Sequence, residues 1–216
     1  MCDKIICLGD LVGYGPHPNE CISLVERTAG VILAGNHDYA AVRLTDTTYF
    51  NVYARLAIDY TRAALDPENE KKLAALPLDY IEENSYFVHA APFEPVNWNY
   101  ILTLYEAAKN FDCFKQKLCF IGHSHVPVVY SQDSAGVPSV FHESEIEFAR
   151  DRRYIINVGS VGQPRDGNPR AAFGLFDTRT QTYHQLRVEY DLKTTQDAMR
   201  KAQLPMFLIE RLQYGQ

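Results

Sequence analysis

Short apolar runs that end in polar residues recur along the chain. They occupy residues 4–8, 30–34, 85–88, 117–121 and 154–158, and each leads directly into a glycine or a histidine. Runs this short, bounded by glycine and proline, are typical of buried strands rather than helices. The pattern therefore predicts five strands with chemically useful residues at their carboxyl ends.

Longer stretches between these runs predict helices. Residues 18–27 have a proline in the first turn and Gly30 beyond the end, as helix termini prefer. Asp66 and Pro67 form a good helix start, and Pro77 ends the helix that follows. The predicted helices span residues 18–27, 53–65, 66–76, 100–110 and 195–212, the last broken at Pro205.

Strands that alternate with helices, followed by an alternating hairpin over residues 171–190, predict an α/β fold. In such sheets, ligands bind outside the carboxyl ends of the strands. We expect one rim to carry Asp10, Asn36, His37, Asp38, His89, His123, His125, Asn157 and Ser160. Since repeats, low-complexity tracts and linkers are absent, we expect a single domain over residues 1–216, with a helical cap-like segment around residues 39–80.

Composition narrows the class of protein. The 216 residues are 46% hydrophobic and 22% charged, which excludes wholesale disorder. The net charge of −6 disfavours a protein that binds long nucleic acid through a broad basic surface. The apolar runs are too short for a transmembrane helix, and the first residues lack a secretory pattern. We therefore expect a cytoplasmic protein without a membrane partner.

The cysteine spacing excludes two further classes. None of the five cysteines forms a Cys-x-x-Cys pair, so zinc-finger and redox motifs are absent. We expect free, buried thiols, as in a reducing cytosol, and no cysteine nucleophile. The five are Cys2, Cys7, Cys21, Cys113 and Cys119.

The polar residues at the predicted strand ends are of metal-binding types. Histidine, aspartate and the asparagine carbonyl bind divalent first-row metals. His123 and His125 are two apart, so in extended backbone both side chains lie on one face. A pair of metals about 3.5–4 Å apart lowers the pKa of a shared water and neutralises a phosphoryl transition state.

Three further residues fit that chemistry. His37 follows Asn36 directly and would be a proton donor that is not itself a ligand. Asp38 would orient the His37 ring, or cap the helix that follows. Arg165, in a loop rich in glycine and proline, would bind a phosphate oxygen in bidentate fashion or pair with Asp166 or Asp151.

Residues 13–20 and 157–167 resemble a prokaryotic branch of small phosphoesterases within the calcineurin-like metallophosphoesterase superfamily. Four motifs in order resemble the superfamily as a whole. They are Gly9-Asp10, Gly35-Asn36-His37-Asp38, His89 and Gly122-His123-Ser124-His125. The resemblance implies a four-layer αββα sandwich, the metallo-dependent phosphatase fold, and a dinuclear centre of Mn, Fe, Zn, Ni or Co. It implies metal ligands at Asp10, Asn36, His89, His123 and His125, and phosphate contact by His37 and Asn36.

One family motif, Asp-x-His, does not occur in the sequence. The resemblance therefore implies that the first strand and helix of the family fold are missing as well. Three explanations are open: a lost N-terminal segment, a degenerate homologue that binds one metal, or substitution by His17 or Asp166. We expect the first, because the other motifs are intact.

The resulting interpretation is a metal-dependent phosphoesterase, acting as a phosphatase or a phosphodiesterase by attack of a metal-bound hydroxide. The substrate would be a small phosphorylated molecule, nucleotide-like among the options, and a homo-oligomer is compatible with the sequence. The alternative is a catalytically impaired homologue that binds a metal or nucleotide as a binding module. The stretch from Phe93 to Tyr105, including Trp98, would line a substrate cleft or pack in the core or cap.

Overall fold

The structure is a computed structural model that describes residues 2–216. Its elements in chain order are β1 (Ile6–Cys7), α1 (Pro18–Thr28), β2 (Val31–Ile32), α2 (Asn36–Ala41), α3 (Val52–Ala64), α4 (Pro67–Ala74), β3 (Asp79–Glu82), β4 (Ser85–Val88), α5 (Leu104–Phe111), β5 (Leu118–Ile121), β6 (Val128–Gln132), β7 (Pro138–Phe141), β8 (Glu145–Glu147), β9 (Arg153–Asn157), β10 (Ala171–Asp177), β11 (Thr182–Val188), α6 (Leu192–Lys201) and α7 (Met206–Glu210). Short 3₁₀ turns lie at Pro95–Asn97 and Arg211–Tyr214.

These elements form two compact units. The first, here called the N-terminal unit, comprises the residues up to Leu78 and Asp191–Gln213. The second, here called the sheet unit, comprises Asp79–Tyr190 and Tyr214–Gln216. Both combine helices with strands, which confirms the α/β prediction. The single domain with a cap around residues 39–80 stays a prediction.

The N-terminal unit contains a pair of parallel strands, β1 and β2. Because the carboxyl ends of parallel neighbours meet at the same edge, the segments that begin at Gly9 and Gly35 emerge side by side. Helices pack around two buried apolar clusters. One contains Val12, Ile22, Ala41, Leu65 and Leu73, and the other contains Ala57, Met199, Leu204, Leu208, Ile209 and Leu212.

The sheet unit is built on a six-stranded mixed sheet in the order β3-β4-β5-β9-β6-β7. Strands β4, β5 and β9 are parallel neighbours, so the residues that follow them share one edge. All four residues of β5 are buried, as a central strand requires. Strands β10, β11 and β8 form a separate antiparallel sheet in the same unit.

The structure confirms the five predicted strands, the helices and the hairpin over residues 171–190. Helix α5 begins at Leu104 instead of residue 100, because Thr103 and Glu106 form a capping box there. Strands β3, β6, β7 and β8 were not predicted, and helix α2 was foreseen only as the helix that Asp38 would cap. Helix α2 has six residues and nearly all are buried, so it shows no amphipathic period.

The structure bears on two features that were considered from composition, namely the burial of the cysteine thiols and membrane-spanning helices. The prediction of buried thiols is wrong for most of the cysteines: Cys119 is buried, Cys7 is half-buried, and the other three are exposed. Among residues 2–216, no helix is both long enough and apolar enough to cross a membrane.

Candidate functional site

Asp10 occupies a sharp turn at the end of β1. Its φ of 56° is left-handed, which is uncommon outside glycine and recurs at functional sites. Its Oδ1 atom accepts a hydrogen bond from the His37 backbone N–H at 2.9 Å. The turn therefore holds the Asp10 carboxylate beside the start of α2.

The carboxylate of Asp38 is the anchor of this turn. It is fully buried and accepts backbone N–H bonds from Asp10 at 2.7 Å, Gly35 at 2.9 Å and Val12 at 3.3 Å. Bonds from N–H groups to an ionised acceptor are among the stronger ones in proteins. They give Asp38 a structural part in shaping the site, and its predicted effect on the His37 ring stays a prediction.

Position 35 must be a glycine, because the backbone passes very close to Asp10 there. A Cβ built there would overlap both the backbone nitrogen and the carboxylate of Asp10. No other amino acid lacks this atom, so the side-by-side passage of the two segments explains the glycine of the Gly-Asn-His-Asp motif. Asn36, the next residue, is buried at the first position of α2.

The His37 ring is packed between two aromatic rings. The Tyr14 ring lies 4.4 Å from it and the Phe50 ring 5.2 Å, both tilted by about 50°. Gly13, with a φ of 132°, allows this packing, because a Cβ there would overlap the imidazole. His37 is only 5% exposed, so the rings restrict its orientation and its access to water.

The thiol of Cys7 lies beneath the same turn. Burial, with the negative charges of Asp38 and Asp10, raises the pKa of Cys7 to about 11. The thiol is therefore protonated at neutral pH. A protonated thiol is a poor nucleophile, so the site does not activate Cys7.

In the sheet unit, His89 follows β4 and His123 follows β5 by two residues. The Gly122 N–H donates to the His89 carbonyl at 2.8 Å and joins the two strand ends. His89 Nε2 and His123 Nδ1 are 3.2 Å apart, and both rings are buried. With metal–nitrogen bonds of about 2.1 Å, nitrogens at that separation meet one ion at about 100°, between the octahedral and tetrahedral angles. The pair therefore fits a divalent metal.

His125 is fixed in one tautomer. Its Nδ1 lies 2.6 Å from the backbone carbonyl of Gln163, which can only accept, so Nδ1 carries the proton. A histidine whose Nδ1 donates to a carbonyl in this way typically binds a metal through Nε2. His123 and His125 both have a φ of 62°, so the predicted extended backbone is wrong for this segment.

Asn157, at the end of β9, orders the loop that carries these histidines. It is 1% exposed, and its Nδ2 donates to the Gly122 carbonyl at 2.6 Å and to Ser124 Oγ at 2.9 Å. Its Oδ1 accepts from the Gly159 N–H at 2.9 Å. Both polar atoms of the amide thus bind loop residues, through three hydrogen bonds. Asn157 therefore orders the loop between β5 and β6.

Arg165 is oriented by Gln163. The guanidinium donates to Gln163 Oε1 from Nε at 3.3 Å and from Nη2 at 2.9 Å. The Gln163 Nε2 is buried and has no hydrogen-bond partner among residues 2–216. Asp166 is paired with Arg187.

The remaining histidines lie elsewhere on the surface. His17 is exposed and lies 3.9 Å from Glu20, and His184 lies 3.8 Å from Glu145. His142 is exposed.

Sequence reasoning missed several residues that shape the site, namely Gly13, Tyr14, Phe50 and Gln163. Tyr100 lies within the aromatic stretch that was predicted to line a substrate cleft or to pack in the core or cap. Gln163 stands in the Gly-Gln-Pro-Arg stretch, and the glycine and proline on either side of it were a sequence signal that could have singled it out. The contacts of Tyr14 and Phe50 with His37 had no sequence signal.

The fold and these donors together define a class of protein. A mixed α/β fold with a multi-stranded sheet, and Asp, Asn and His donors at strand ends, is that of the metallo-dependent phosphatases. The profile of the calcineurin-like phosphoesterase superfamily domain matches residues 1–181. The chain belongs to this superfamily, whose members use divalent metals.

Three relatives illustrate the similarity. The chain is 41% identical over 218 residues to "Uncharacterized protein MJ0912" of Methanocaldococcus jannaschii, covering 98% of this chain and 86% of that protein. A crystal structure of a metallophosphoesterase from Sphaerobacter thermophilus matches with a TM-score of 0.86 and 39% identity, over 99% of this chain and 89% of that one. Hypothetical protein PH1004 from Pyrococcus horikoshii OT3 shares the fold, with a TM-score of 0.76 and 20% identity over 98% and 84% of the two chains.

Proposed function

We propose that the protein is a metal-dependent phosphoesterase that hydrolyses small phosphate mono- or diesters, nucleotide-like esters among them. The observation that carries the proposal is the buried pair of His89 and His123 nitrogens 3.2 Å apart, at the ends of two parallel strands. Buried imidazoles at this separation are suited to one shared cation. Family membership supports the reaction class.

The proposed metal ligands are the five residues of the family motifs. Asp10 and Asn36 offer oxygens, and His89, His123 and His125 offer nitrogens. The fixed tautomer of His125 and the left-handed turn at Asp10 support this assignment, since both hold donor atoms in one orientation. A divalent metal, when bound, neutralises charge on the phosphoryl group and lowers the pKa of a coordinated water.

The chain's own residues then act on the ester. His37 contacts the phosphate and gives a proton to the leaving oxygen, and its packing against Tyr14 and Phe50 fixes its approach. Asp38 acts as a positioning residue through the Asp10 turn. Arg165 binds a phosphate oxygen, together with Asn36, and Gln163 aligns the guanidinium for it.

The test compares hydrolysis of p-nitrophenyl phosphate and bis(p-nitrophenyl) phosphate in the presence of Mn²⁺. We expect His37→Ala to lower kcat by about 100-fold, as loss of a general acid does. His142→Ala is the matched control, because His142 is an exposed histidine of the sheet unit. It should leave kcat unchanged.

Two results would count against the proposal. Absence of hydrolysis by the wild type with Mn²⁺ and with the other first-row metals would reject a phosphoesterase, and metal binding in that case would favour the binding module. An unchanged kcat in His37→Ala would reject the part given to His37. Metal content measured for His123→Ala tests the ligand set separately, with a fall expected.

A further inference from the structure

The segment that follows His89 has an unusual backbone. Glu94 and Trp98 flank the 3₁₀ turn at Pro95–Asn97, and their φ values of 48° and 55° are both left-handed. Such conformations cost free energy in residues with a Cβ and persist where the surrounding structure enforces them. The turn is therefore held in a conformation that fixes where Trp98 lies.

Contacts at both ends hold this segment in place. The Phe93 N–H donates to Asn110 Oδ1 at 2.9 Å. Ile101 is 2% exposed and belongs to the core of the sheet unit. The Glu106 carboxylate accepts from the backbone of Leu102 at 2.7 Å and of Thr103 at 2.9 Å. The loop is thus a rigid support.

Two aromatic rings on this support contact the histidine pair. The Tyr100 ring stacks on the His123 imidazole, with centroids 4.1 Å apart and planes at 26°. The Trp98 indole meets His89 edge-on, with centroids 5.8 Å apart. Tyr100 is 47% exposed, so the ring is not a core residue and water reaches much of it.

We propose that Tyr100 and Trp98 form a stacking platform for the planar base of a nucleoside phosphate. The proposal rests on the proposed function, because the adjacent histidines are the groups that would hold the phosphate end. Stacking on an aromatic ring is a general way to bind any base, and burying the exposed Tyr100 face adds hydrophobic free energy. A sugar phosphate without a base gains neither the stacking nor the hydrophobic contribution. The platform therefore selects nucleotides over phosphorylated sugars.

The single tryptophan makes this binding measurable without catalysis, because Trp98 alone reports tryptophan fluorescence. The full chain with Mn²⁺ is titrated with the non-hydrolysable phosphonate analogues of adenosine 5′-monophosphate and ribose 5-phosphate. We expect the nucleotide analogue to change Trp98 fluorescence and to bind about tenfold more tightly than the sugar analogue. In Tyr100→Ala this ratio of Kd values should fall to near one.

Two variants serve as controls. Tyr100→Phe keeps the ring and should keep the ratio. Tyr105→Ala removes an exposed tyrosine of the same unit, whose ring lies 4.3 Å from the Lys109 ammonium, and should also keep it. If the ratio of Kd values also falls to near one in Tyr105→Ala, the assignment of the platform to Tyr100 is overturned.

Other outcomes also decide the matter. A wild-type ratio near one, or an unchanged ratio in Tyr100→Ala, overturns the platform. Equal weakening of both analogues in Tyr100→Ala also overturns it, since Tyr100 would then only position His123. Failure of the proposed function is distinct: nucleotide-selective binding without hydrolysis of any ester leaves the platform standing and rejects catalysis.

Discussion

The two groups of candidate ligands are held by anchors of opposite character. In the N-terminal unit, the anchor is the Asp38 carboxylate, which accepts three backbone N–H bonds. In the sheet unit, it is the neutral Asn157 amide, which donates twice and accepts once. A carboxylate can only accept, so it suits a turn whose N–H groups converge, whereas an amide suits a loop that presents a carbonyl and a hydroxyl.

The two regions also differ in how closely they are packed. Around Asp10, backbone approaches backbone, and Gly35 leaves no room for a side chain. Around His123, the contacts are between rings, and Tyr100 is half-exposed. Rings can shift by small amounts, while crossing main chains cannot. We therefore expect the Asp10 region to tolerate substitution less well.

The largest effect is expected from Gly35→Ala. The new Cβ overlaps Asp10, so the turn must move, and we expect the free energy of unfolding to fall by about 3 kcal/mol. A displacement of Asp10 should also lower kcat by about 100-fold. Urea unfolding and the p-nitrophenyl assay measure the two effects. Gly15→Ala, where a Cβ has open space, is the control, and equal losses in both variants would refute the argument from close approach.

Asp38→Asn comes next. The amide replaces one acceptor oxygen by an NH₂ group that faces backbone N–H groups, and we expect a loss of about 2 kcal/mol in the free energy of unfolding. Asp59→Asn, at an exposed aspartate of the same unit, should change it by less than about 0.5 kcal/mol. Similar urea midpoints for the two variants would show that Asp38 is not the anchor.

Asn157→Ala tests the second anchor. It removes two donated bonds and one accepted bond from a buried loop, and we expect a loss of about 1.5 kcal/mol. Asn99→Ala, at an exposed asparagine of the same unit, is the control. If Asn157→Ala lowers the free energy of unfolding by more than Asp38→Asn does, the charged anchor is not the stronger one and the comparison fails.

The smallest effect on the free energy of unfolding is expected from Glu106, which supports the loop of the stacking platform, and this effect depends on pH. Bonds from the Leu102 N–H and from Thr103 lower the pKa of Glu106 below its ordinary value of 4.5. Because the folded-state pKa is the lower one, this stabilisation is complete above pH 4.5 and is lost as the pH falls through the folded-state value. Glu106→Gln should cost about 0.5 kcal/mol at neutral pH.

The measurement is urea unfolding at neutral pH and again below pH 4.5, for wild type and Glu106→Gln. The difference between the two proteins should narrow at the lower pH. Glu83→Gln, at an exposed glutamate of the sheet unit, is the control. A difference that stays constant across this range would contradict a contribution from the ionised Glu106 carboxylate.

The strand ends were the most predictable part of the protein. Apolar runs that lead into a glycine or a histidine identify β1, β2, β4, β5 and β9, because burial of a strand is visible in its composition. The residues after them, from Asp10 to His125, were candidates on residue type and motif order alone. Strands such as β7 and β8 have mixed burial and no alternating pattern strong enough to predict them.

The sequence by itself determined the α/β class, the superfamily and the set of candidate donor residues, since these follow from local apolar patterns and from motifs contiguous in the chain. Only the tertiary structure decided that Gln163 fixes the tautomer of His125, that Asp38 anchors the Asp10 turn, and that Tyr100 covers His123. Each of these contacts joins residues more than 20 positions apart. Their partners are set by how strands and loops pack, and no local pattern encodes that.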